Sequence, residues 1–308
     1  SSGLLKDGGC VLIIHNNNER GRTLQTHWRN RGWATRTVDT MRLGGCERIT
    51  CFTAWKPSRW SQTEEHGRVS STNQMVLDGD YQVGTLVTAK LQTQGRGQRN
   101  REWITRDGDF AGSWRISPKE LGLKPGVAQL RASIAVLDAL AMLDRKPLPS
   151  SHWSECTSMN SSGFGLAWPN DLTYNGRKFG GLLIESRDDG SELKAALGIG
   201  IDIEPWQGNQ EWGSLADWKE GIELRQFKEA LMISIASTFD RTVQQLNNPH
   251  LDESCWIGLA GHLSAGAMVS LEGETLRVHG IGSNGELLTH KDGVCKETLD
   301  AFGKRWVS

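Results

Sequence analysis

The chain lacks the features that mark several classes of protein. Its 6 cysteines form no Cys-x-x-Cys pair and have no partnering histidine series, which argues against a disulfide framework and a structural zinc site. No apolar run approaches the roughly 20 residues that span a bilayer, and the start Ser1-Ser2-Gly3 shows no signal-peptide pattern. We therefore expect a cytoplasmic protein with reduced thiols and no membrane partner.

An excess of charge of either sign is also missing. The chain has 35 lysines and arginines against 36 aspartates and glutamates, a net charge of -1. A protein this close to neutrality has no overall electrostatic footprint for nucleic acid or for an acidic membrane surface. Its 308 residues leave room for a sizeable core and two or three structural units.

What the sequence does contain is a set of polar clusters that carry glycine and lie between apolar runs. The first reads GRGQRNREW from Gly95 to Trp103. Its two glycines let backbone amides approach a ligand, and its three arginines, Arg96, Arg99 and Arg101, can bind a negatively charged group. This composition is typical of a phosphate site, although many solvated connections share it.

Two further clusters follow downstream. Trp168-Pro169-Asn170-Asp171 comes after a short apolar run, and the proline ends that strand, so Asn170 and Asp171 are presented at its end. An aspartate there could ligate Mg²⁺, and an ordinary turn is the alternative. Asn175-Gly176 is a strong hairpin signal, which predicts that Lys178 on the returning strand lies close to Asp171.

The rest of the chain divides into recognisable units. Residues 1–57 show a weak β-α-β signal, and Lys56-Pro57 with the polar run 58–67 predicts a linker. Helices are predicted from Pro125 to about Leu143 and from about Leu224 to Leu246, because apolar residues recur at spacings of three and four.

After Ala267 the pattern becomes all-β. Turn signals at Gly273, Asn284-Gly285 and Asp292-Gly293 separate short strands, which most simply form a small SH3-like barrel. We assign the fold to the α+β class, with a mixed, largely antiparallel sheet. The predicted domains are an N-terminal accessory unit of unknown role (1–57), a central domain (58–264) and the C-terminal SH3-like domain (265–308).

Taken together, the polar clusters resemble those of biotin protein ligases, which share a catalytic domain architecture with lipoate ligases. The likeness runs from about residue 65 to residue 204 and continues more weakly to the C-terminus. The motifs that carry it are Ser71-Thr72-Asn73-Gln74, Gln92 with Gly95-Arg96-Gly97, Arg101 and Trp103, Trp168 to Asp171, Arg177 to Gly181, and Gly198 to Ile201.

The resemblance implies a two-step reaction. The biotin carboxylate attacks the α-phosphate of ATP, pyrophosphate leaves, and a lysine of a biotin carboxyl carrier protein then attacks the mixed anhydride. Mg²⁺ is the implied metal, and a homodimer is one of the implied assemblies. Some members carry a DNA-binding winged helix-turn-helix, but residues 1–57 show one helical pattern where that module needs three, so DNA binding is not expected.

The resemblance also implies a role for each matched residue, with Lys178 and Arg96 as the catalytic cations and Asp171 as the metal ligand. The residues implied for biotin are Ser71, Thr72, Gln92, Gly95, Arg96, Lys178, Gly181, Leu183 and Gly198. The residues implied for the nucleotide are Arg99, Arg101, Trp103, Asn170, Gly200 and Asp202. From the residues alone, Ser71-Thr72 reads equally well as the N-cap of a helix.

The chain departs from the family at five positions. Ser70 stands where the family has Asp, Gln98 where it has Arg, Asn100 where it has Gly, Ala167 where it has Lys, and Asp202 where it has Asn. Two of these changes remove cations expected near the phosphates, and Asp202 adds a negative charge there. Uncompensated, losing two charge-assisted hydrogen bonds costs roughly two to four powers of ten in rate.

Three functions remain open at this point. The first is a working ligase in which Arg99, Lys304 or Arg305 replaces the missing arginine. The second is a regulator that binds biotin or its adenylate with little turnover. The third is a lipoate or octanoyl transferase, which the Trp-Pro-Asn-Asp tetrad and the arginine-glycine loop favour less.

Overall fold

The structure is a computed structural model. It describes residues 9–15, 18–43, 47–98, 101–121, 125–145, 163–188, 190, 192–208, 211–240, 268–271, 274–281, 287–291, 294–298 and 305–307.

The N-terminal residues form a three-stranded antiparallel sheet in the order β1-β3-β2. Its elements are β1 (Cys10–His15), helix α1 (Asn18–Arg29), β2 (Ala34–Leu43) and β3 (Glu47–Trp55). The β-α-β prediction is confirmed, and β3 inserts between the other two strands. The helix lies against the sheet, where Gln25 Nε2 donates to Thr37 Oγ1 at 3.1 Å.

The segment predicted as a linker is structured, so that prediction was wrong. A short 3-10 helix covers Ser58–Ser61, and β4 follows at Thr63–Val69, paired in parallel with β5 (Leu86–Gln92). Trp60 is only 3% exposed and its ring stacks on Phe239 at 6.2 Å. Because β4 is an edge strand whose side chains are mostly exposed, it has no apolar alternation for sequence reasoning to detect.

A seven-stranded sheet in the order β4-β5-β6-β10-β9-β8-β7 forms the centre of the molecule. The remaining strands are β6 (Phe110–Ile116), β7 (Phe164–Ala167), β8 (Asp171–Tyr174), β9 (Arg177–Asp188) and β10 (Leu193–Ile201). Every pair except β4 with β5 is antiparallel. The predicted α+β class with a mixed, largely antiparallel sheet is confirmed.

The β8–β9 hairpin forms at Asn175-Gly176, as predicted. Both residues have positive φ, 48° and 78°, which is the conformation of a two-residue turn whose twist matches that of the strands. The turn sets the register in which Asp171 pairs with Gly181 and Thr173 with Lys178. This register brings the Asp171 and Lys178 side chains into reach of each other. The Trp168–Pro169 peptide bond just before β8 is cis.

The two faces of the sheet are covered differently. Helices α4 (Pro125–Leu143) and α5 (Leu224–Phe239) pack on each other and on one face, and short α3 is Pro118–Leu121. Helix α2 (Thr72–Asp78) lies on the other face against β6 and β10. Because side chains alternate along a strand, Leu197, Ile199 and Ile201 enter the α4–α5 core, whereas Gly198 and Gly200 face the α2 side.

The predicted helix α4 is confirmed, but α5 is shorter than predicted. It ends at Phe239, where Asp240 takes an extended backbone conformation, and residues 241–246 of the prediction lie outside the described residues. By length and composition, Gly126–Leu143 could cross a membrane, which the sequence analysis overlooked. Since 78% of this window is buried inside the fold, we interpret α4 as a core helix.

The C-terminal strands pair antiparallel in the order β14-β13-β12-β11-β15. They are β11 (Met268–Leu271), β12 (Glu274–Ile281), β13 (Leu287–Lys291), β14 (Val294–Thr298) and β15 (Arg305–Val307). The four predicted strands are confirmed. Their predicted turns lie outside the described residues, and closure into an SH3-like barrel stays a prediction.

Candidate functional site

A cavity of about 360 Å³ opens on the α2 face of the central sheet. Segments distant in sequence converge on it: the start of α2, the end of β5 with the following loop, β6, the β8–β9 hairpin and β10. Its lining includes most of the residues predicted for the site: Ser71, Thr72, Gln92, Arg96, Arg101, Trp103, Asn170, Asp171, Lys178, Gly181, Leu183, Gly198 and Gly200.

The start of α2 supplies one wall. Ser71 caps the helix, and its Oγ accepts the Gln74 backbone N–H at 3.5 Å, so the N-cap interpretation of this residue holds as well. Thr72 donates from its backbone N–H at 2.9 Å and from its hydroxyl at 3.1 Å to Gln92 Oε1. Gln92 in turn donates to Thr105 Oγ1 at 3.1 Å. These bonds hold the amide of Gln92 in one orientation at the end of β5.

The cavity floor consists of β9 and β10, where Gly181 pairs with Gly200 and Leu183 with Gly198. A Cβ on Gly198 would lie 2.5 Å from Asn73 Oδ1, and one on Gly200 would lie 2.4 Å from the Trp103 ring. The resemblance implies Gly198 and Gly200 as contacts of biotin and of the nucleotide. The structure gives another reason for glycine at both positions, since the space above them holds Asn73 and Trp103.

Lys178 is the cation at the hairpin end of the cavity. Its Nζ is 2.7 Å from Asp171 Oδ1, which confirms the predicted proximity across the hairpin. The same Nζ lies 5.5 Å from the ring centre of Trp103 and 5.9 Å from that of Trp212. Aromatic faces attract a cation, so the two indoles help to keep the ammonium group at this place. A carboxylate or phosphate entering here meets a positioned positive charge.

The segment that carries Trp212 is fixed to β9. Gly213 donates its backbone N–H to the Lys178 carbonyl at 2.6 Å, and Arg177 Nη2 is 2.8 Å from Asp217 Oδ1. Burial raises the pKa of Asp217, but hydrogen bonds from Ser214 and Arg177 and the charge of Arg177 outweigh it, so this pKa lies below its usual value. The Asp217 carboxylate therefore stays charged. Its ion pair with Arg177 helps to hold the segment with Trp212 beside Lys178.

The glycine-arginine loop folds back on itself. Gly97 donates its N–H to the Arg101 carbonyl at 2.7 Å, and Trp103 donates to the Gly95 carbonyl at 2.8 Å. A Cβ on Gly95 would lie 2.3 Å from the Trp103 carbonyl oxygen, so glycine is required there by the chain itself. Gly95 does not line the cavity, and its contact with biotin stays a prediction. Arg99 lies outside the described residues.

Asp202 is the second predicted contact that the structure places elsewhere. Its side chain is fully buried and does not line the cavity, and its contact with a nucleotide stays a prediction. Arg106 Nη2 is 3.6 Å from Oδ1, and Trp206 and the charge of Arg106 favour the ionised form of this carboxyl. Burial, together with the nearby charge of Asp109, raises the pKa of Asp202 to about 7.

Sequence reasoning missed several residues of this site. Asn73 and Ser113 line the cavity and hydrogen-bond each other, Trp212 lines it beside Lys178, and Glu185 contacts Arg96 at its edge. Period-two alternation along β9 could have found Glu185, because it follows Gly181 and Leu183 on the same face. No local pattern marks Ser113, which reaches the cavity only through the pairing of β6 with β10.

Several known proteins have sequences similar to this chain. A biotin--[acetyl-CoA-carboxylase] ligase of Paracoccus denitrificans is 33% identical over 139 residues, 44% of this chain and 52% of that protein. The bifunctional ligase/repressor BirA of Salmonella typhimurium is 25% identical over 241 residues, 74% of this chain and 69% of that protein. The chain thus spans about half of the first relative and about two thirds of the second.

Solved structures show the same fold. The biotin protein ligase from Aquifex aeolicus, in complex with biotin and ATP, superposes with a TM-score of 0.64 and 21% identity, covering 80% of this chain and 100% of that one. Residues 66–202 match the Biotin/lipoate A/B protein ligase family, and this range contains Lys178, Arg96 and the glycines of the cavity floor. That segment of the chain is therefore similar to the Biotin/lipoate A/B protein ligase family.

Proposed function

We propose that the protein is an ATP-dependent ligase that activates biotin as biotinyl-5'-AMP and transfers it to a lysine of a biotin carboxyl carrier protein. One observation carries this proposal: a single cavity combines a wall of hydroxyl and amide groups with the separate cations Lys178 and Arg96. Hydroxyl and amide groups suit the polar ring of biotin, and the cations suit a carboxylate next to a phosphate.

The reaction needs little covalent chemistry from the protein, because the bonds form and break between the substrates. A carboxylate oxygen of biotin forms a bond to the α-phosphorus of ATP, and the bond to pyrophosphate breaks. The carrier amine then attacks the acyl carbon, AMP leaves, and the amine loses its proton. Both reactants are anions in the first step, so positive groups that hold them together supply most of the acceleration.

The described residues divide this work between them. Thr72 and Gln92, linked by two hydrogen bonds, hold the ring end of biotin in one orientation. Lys178 approaches the reacting carboxylate and the α-phosphate, and Trp103 offers a face on which adenine packs. Trp103 and Lys178 already lie together, with Nζ 5.5 Å from the ring centre.

Mg²⁺ fits the donors at this end of the cavity. Asp171 and Asn170 supply oxygen ligands that line it, and a magnesium site commonly needs only one or two carboxylates, with phosphates and water completing the shell. When bound, the ion neutralises charge on the nucleotide phosphates. Asp171 would hold it and Asn170 would support it.

The names of the relatives point the same way, as does the Aquifex complex with biotin and ATP. Within this proposal, 58–264 is the catalytic domain, 265–308 is the SH3-like domain that closes over the nucleotide or receives the carrier, and 1–57 is an accessory unit. We further propose that the protein acts in the cytoplasm, as a monomer or a homodimer.

Purified protein with biotin, ATP and Mg²⁺ tests the proposal. We expect pyrophosphate release that depends on biotin, followed by transfer of labelled biotin to a carrier domain. Binding of biotin without pyrophosphate release would identify a regulator instead. Binding of lipoate in preference to biotin would identify a lipoate transferase, and the absence of heat with biotin and Mg-ATP in calorimetry would remove both biotin-based functions.

A further inference from the structure

Glu185 lies on the cavity face of β9 and contacts groups from two other segments. Its Oε1 is 3.1 Å from Arg96 Nη2, and its Oε2 is 3.2 Å from the same nitrogen. Oε2 also accepts a hydrogen bond from Asn73 Nδ2 at 2.8 Å. The carboxylate is three-quarters buried, so these contacts are shielded from solvent. One acidic side chain thus connects the glycine-arginine loop with helix α2.

We propose that Glu185 is a positioning residue, which fixes Arg96 and Asn73 in the ligand cavity before a ligand binds. This inference rests on the proposed function, because it deepens the account of how biotin is recognised. Glu185 itself does not line the cavity, whereas both of its partners do.

The direction of the hydrogen bonds explains why an acid is needed at this position. An ionised carboxylate can only accept, so Glu185 requires the NH₂ group of Asn73 to face it. Asn73 Oδ1 then faces Ser113, whose hydroxyl donates to it at 2.6 Å. Ser113 Oγ also lies 2.7 Å from Thr72 Oγ1, so it connects Asn73 with the wall of the cavity. The charge of Glu185 therefore sets the orientation of the Asn73 amide, which presents an acceptor to the Ser113 hydroxyl.

Asn73 has no room to turn away from this arrangement. It is 5% exposed, and it fits against Gly198 because glycine has no Cβ. A Cβ at that position would lie 2.5 Å from Asn73 Oδ1. The reverse amide orientation would place an oxygen against the Glu185 carboxylate and against the Leu183 carbonyl, which lies 3.4 Å from Nδ2. Repulsion from both groups excludes it.

Arg96 depends on Glu185 in a different way. It lies on a loop, its side chain is 34% exposed, and a mobile arginine loses rotamer freedom when it binds a ligand. Glu185 and Gln74, whose Oε1 accepts from Arg96 Nη2 at 3.2 Å, hold the guanidinium group in advance. Because both contacts use Nη2, other guanidinium N–H groups remain for a ligand, and Nε has no partner among the described residues.

The test compares Glu185→Ala and Glu185→Gln with a matched control, Glu192→Gln. Glu192 also pairs with an arginine, Arg115 at 2.7 Å, but lies outside the cavity. Three quantities are measured on the full chain: the Kd for biotin by calorimetry, the midpoint of thermal unfolding, and the rate of trypsin cleavage at Arg96 without ligand. Glu185→Gln is also combined with Arg96→Gln in a double variant.

We expect Glu185→Ala to raise the Kd for biotin about 10- to 100-fold, the loss of one charge-assisted hydrogen bond. Glu185→Gln should fall between wild type and Glu185→Ala, because glutamine keeps an acceptor but not the charge. Trypsin should cleave at Arg96 faster in both variants, and Glu192→Gln should match wild type in all three measurements. In the Arg96→Gln background the effect of Glu185→Gln should shrink, because the two residues act together.

Other results separate this inference from the proposed function. If wild type binds biotin and both Glu185 variants bind it equally well, the positioning role is overturned and the function stands. If wild type binds no biotin, the function is overturned. The cleavage rate then decides the inference alone: unchanged cleavage at Arg96 refutes it and faster cleavage supports it. If Glu185→Ala does not fold, the same comparisons with Glu185→Gln decide.

Discussion

At the residue scale, Lys178 is the side chain on which the proposed reaction depends most, because it approaches both the reacting carboxylate and the α-phosphate. Replacing it with alanine should lower biotin transfer about 10²- to 10³-fold, the loss seen when one prearranged charged or polar donor is removed from a transition state. Transfer of labelled biotin to a carrier domain measures this. Lys219→Ala is the control, because Lys219 also has a carboxylate partner, Asp144 at 3.5 Å, and a tryptophan, Trp218 at 5.8 Å, yet lies outside the cavity. Undiminished transfer by Lys178→Ala would contradict the site assignment.

Gln98 offers the opposite change, a gain of charge. It lines the cavity, and its carbonyl accepts the Arg101 backbone N–H at 3.3 Å, so its position in the loop is fixed by the backbone. Gln98→Arg should slow the release of the biotinyl adenylate by about tenfold or more, since an arginine adds a charge-assisted hydrogen bond to a phosphate. Retention of labelled adenylate through gel filtration gives the rate. Release as fast as in wild type would show that another cation already serves this role.

Asp202 links stability to pH. Burial raises its pKa from 3.8 to about 7 in the folded protein, so between these values the folded state holds a proton that the unfolded chain has lost. The contribution of Asp202 to stability is therefore present below about pH 4 and is lost as the pH rises to about 7, by up to about 4 kcal/mol.

Asp202→Asn should remove that dependence, because the amide does not ionise. Urea unfolding of both proteins at pH 5 and pH 8 gives the comparison, and the variant should gain stability relative to wild type at the higher pH. Equal differences at the two values would contradict the raised pKa. The buried position also limits the charge repulsion that the sequence suggested, since a protonated Asp202 carries no negative charge toward a phosphate.

Residue types were predictable at this site, but the reasons for them were not. Most of the predicted residues line the cavity. Gly95 and Gly200 were predicted as ligand contacts, yet atoms of Trp103 occupy the space that a Cβ at either position would need. A glycine in a sequence indicates that a side chain does not fit at that position. It does not show whether a ligand or another residue occupies the space.

At the scale of elements, α1 and α4 are joined by a buried ion pair. Arg29 Nη1 is 2.6 Å from Asp138 Oδ2, and the side chains are 6% and 11% exposed. Arg29 also donates from Nε to Thr35 Oγ1 at 2.9 Å, which orients the guanidinium group. Burial raises the pKa of Asp138, and the charge of Arg29 opposes that rise, so the carboxylate depends on its partner.

Arg29→Ala should destabilise the protein by about 3–5 kcal/mol, because it leaves a buried carboxylate without its cation. Urea unfolding at pH 7 measures the loss. Arg225→Ala removes the exposed pair with Glu229 at 3.3 Å and should cost no more than about 0.5 kcal/mol. A loss for Arg29→Ala as small as that of the control would show that Asp138 finds another partner or is neutral.

Element boundaries show where sequence patterns fail. Helix α4 was predictable because Pro125 begins it and apolar residues repeat along it. β4 was missed, since an edge strand exposed on most of its length carries no alternation of burial. The apolar residues that suggested a longer α5 do not show where the helix ends, because Asp240 leaves it to accept the Trp55 indole N–H at 2.8 Å. Tertiary contacts set that boundary.

At the scale of the whole molecule, residues 9–55 and the central helices share one core. Ala34 and Trp55 belong to the same buried cluster as residues of α4 and α5, and they are 0% and 2% exposed. Hydrogen bonds tie the same elements together: Thr35 N–H donates to Ser237 Oγ at 3.0 Å, and Arg36 Nη2 donates to the Asp240 carbonyl at 2.8 Å. A unit attached in this way contributes to the stability of its neighbour.

Deleting residues 1–57 should therefore leave a central domain of markedly lower stability, because it uncovers the apolar surface under Trp55 and leaves Asp138 and Asp240 without Arg29 and the Trp55 indole. Burying an aromatic side chain of this size contributes about 3–5 kcal/mol, and the buried ion pair adds to it. The urea midpoint of residues 58–308, compared with the full chain, measures the loss. The control replaces Leu12 and Ile14 with alanine, which are 53% and 66% exposed in the same unit and should change the midpoint little. A truncated protein as stable as the full chain would instead make residues 1–57 a separable cap, whose contacts with α4 and α5 contribute nothing to folding.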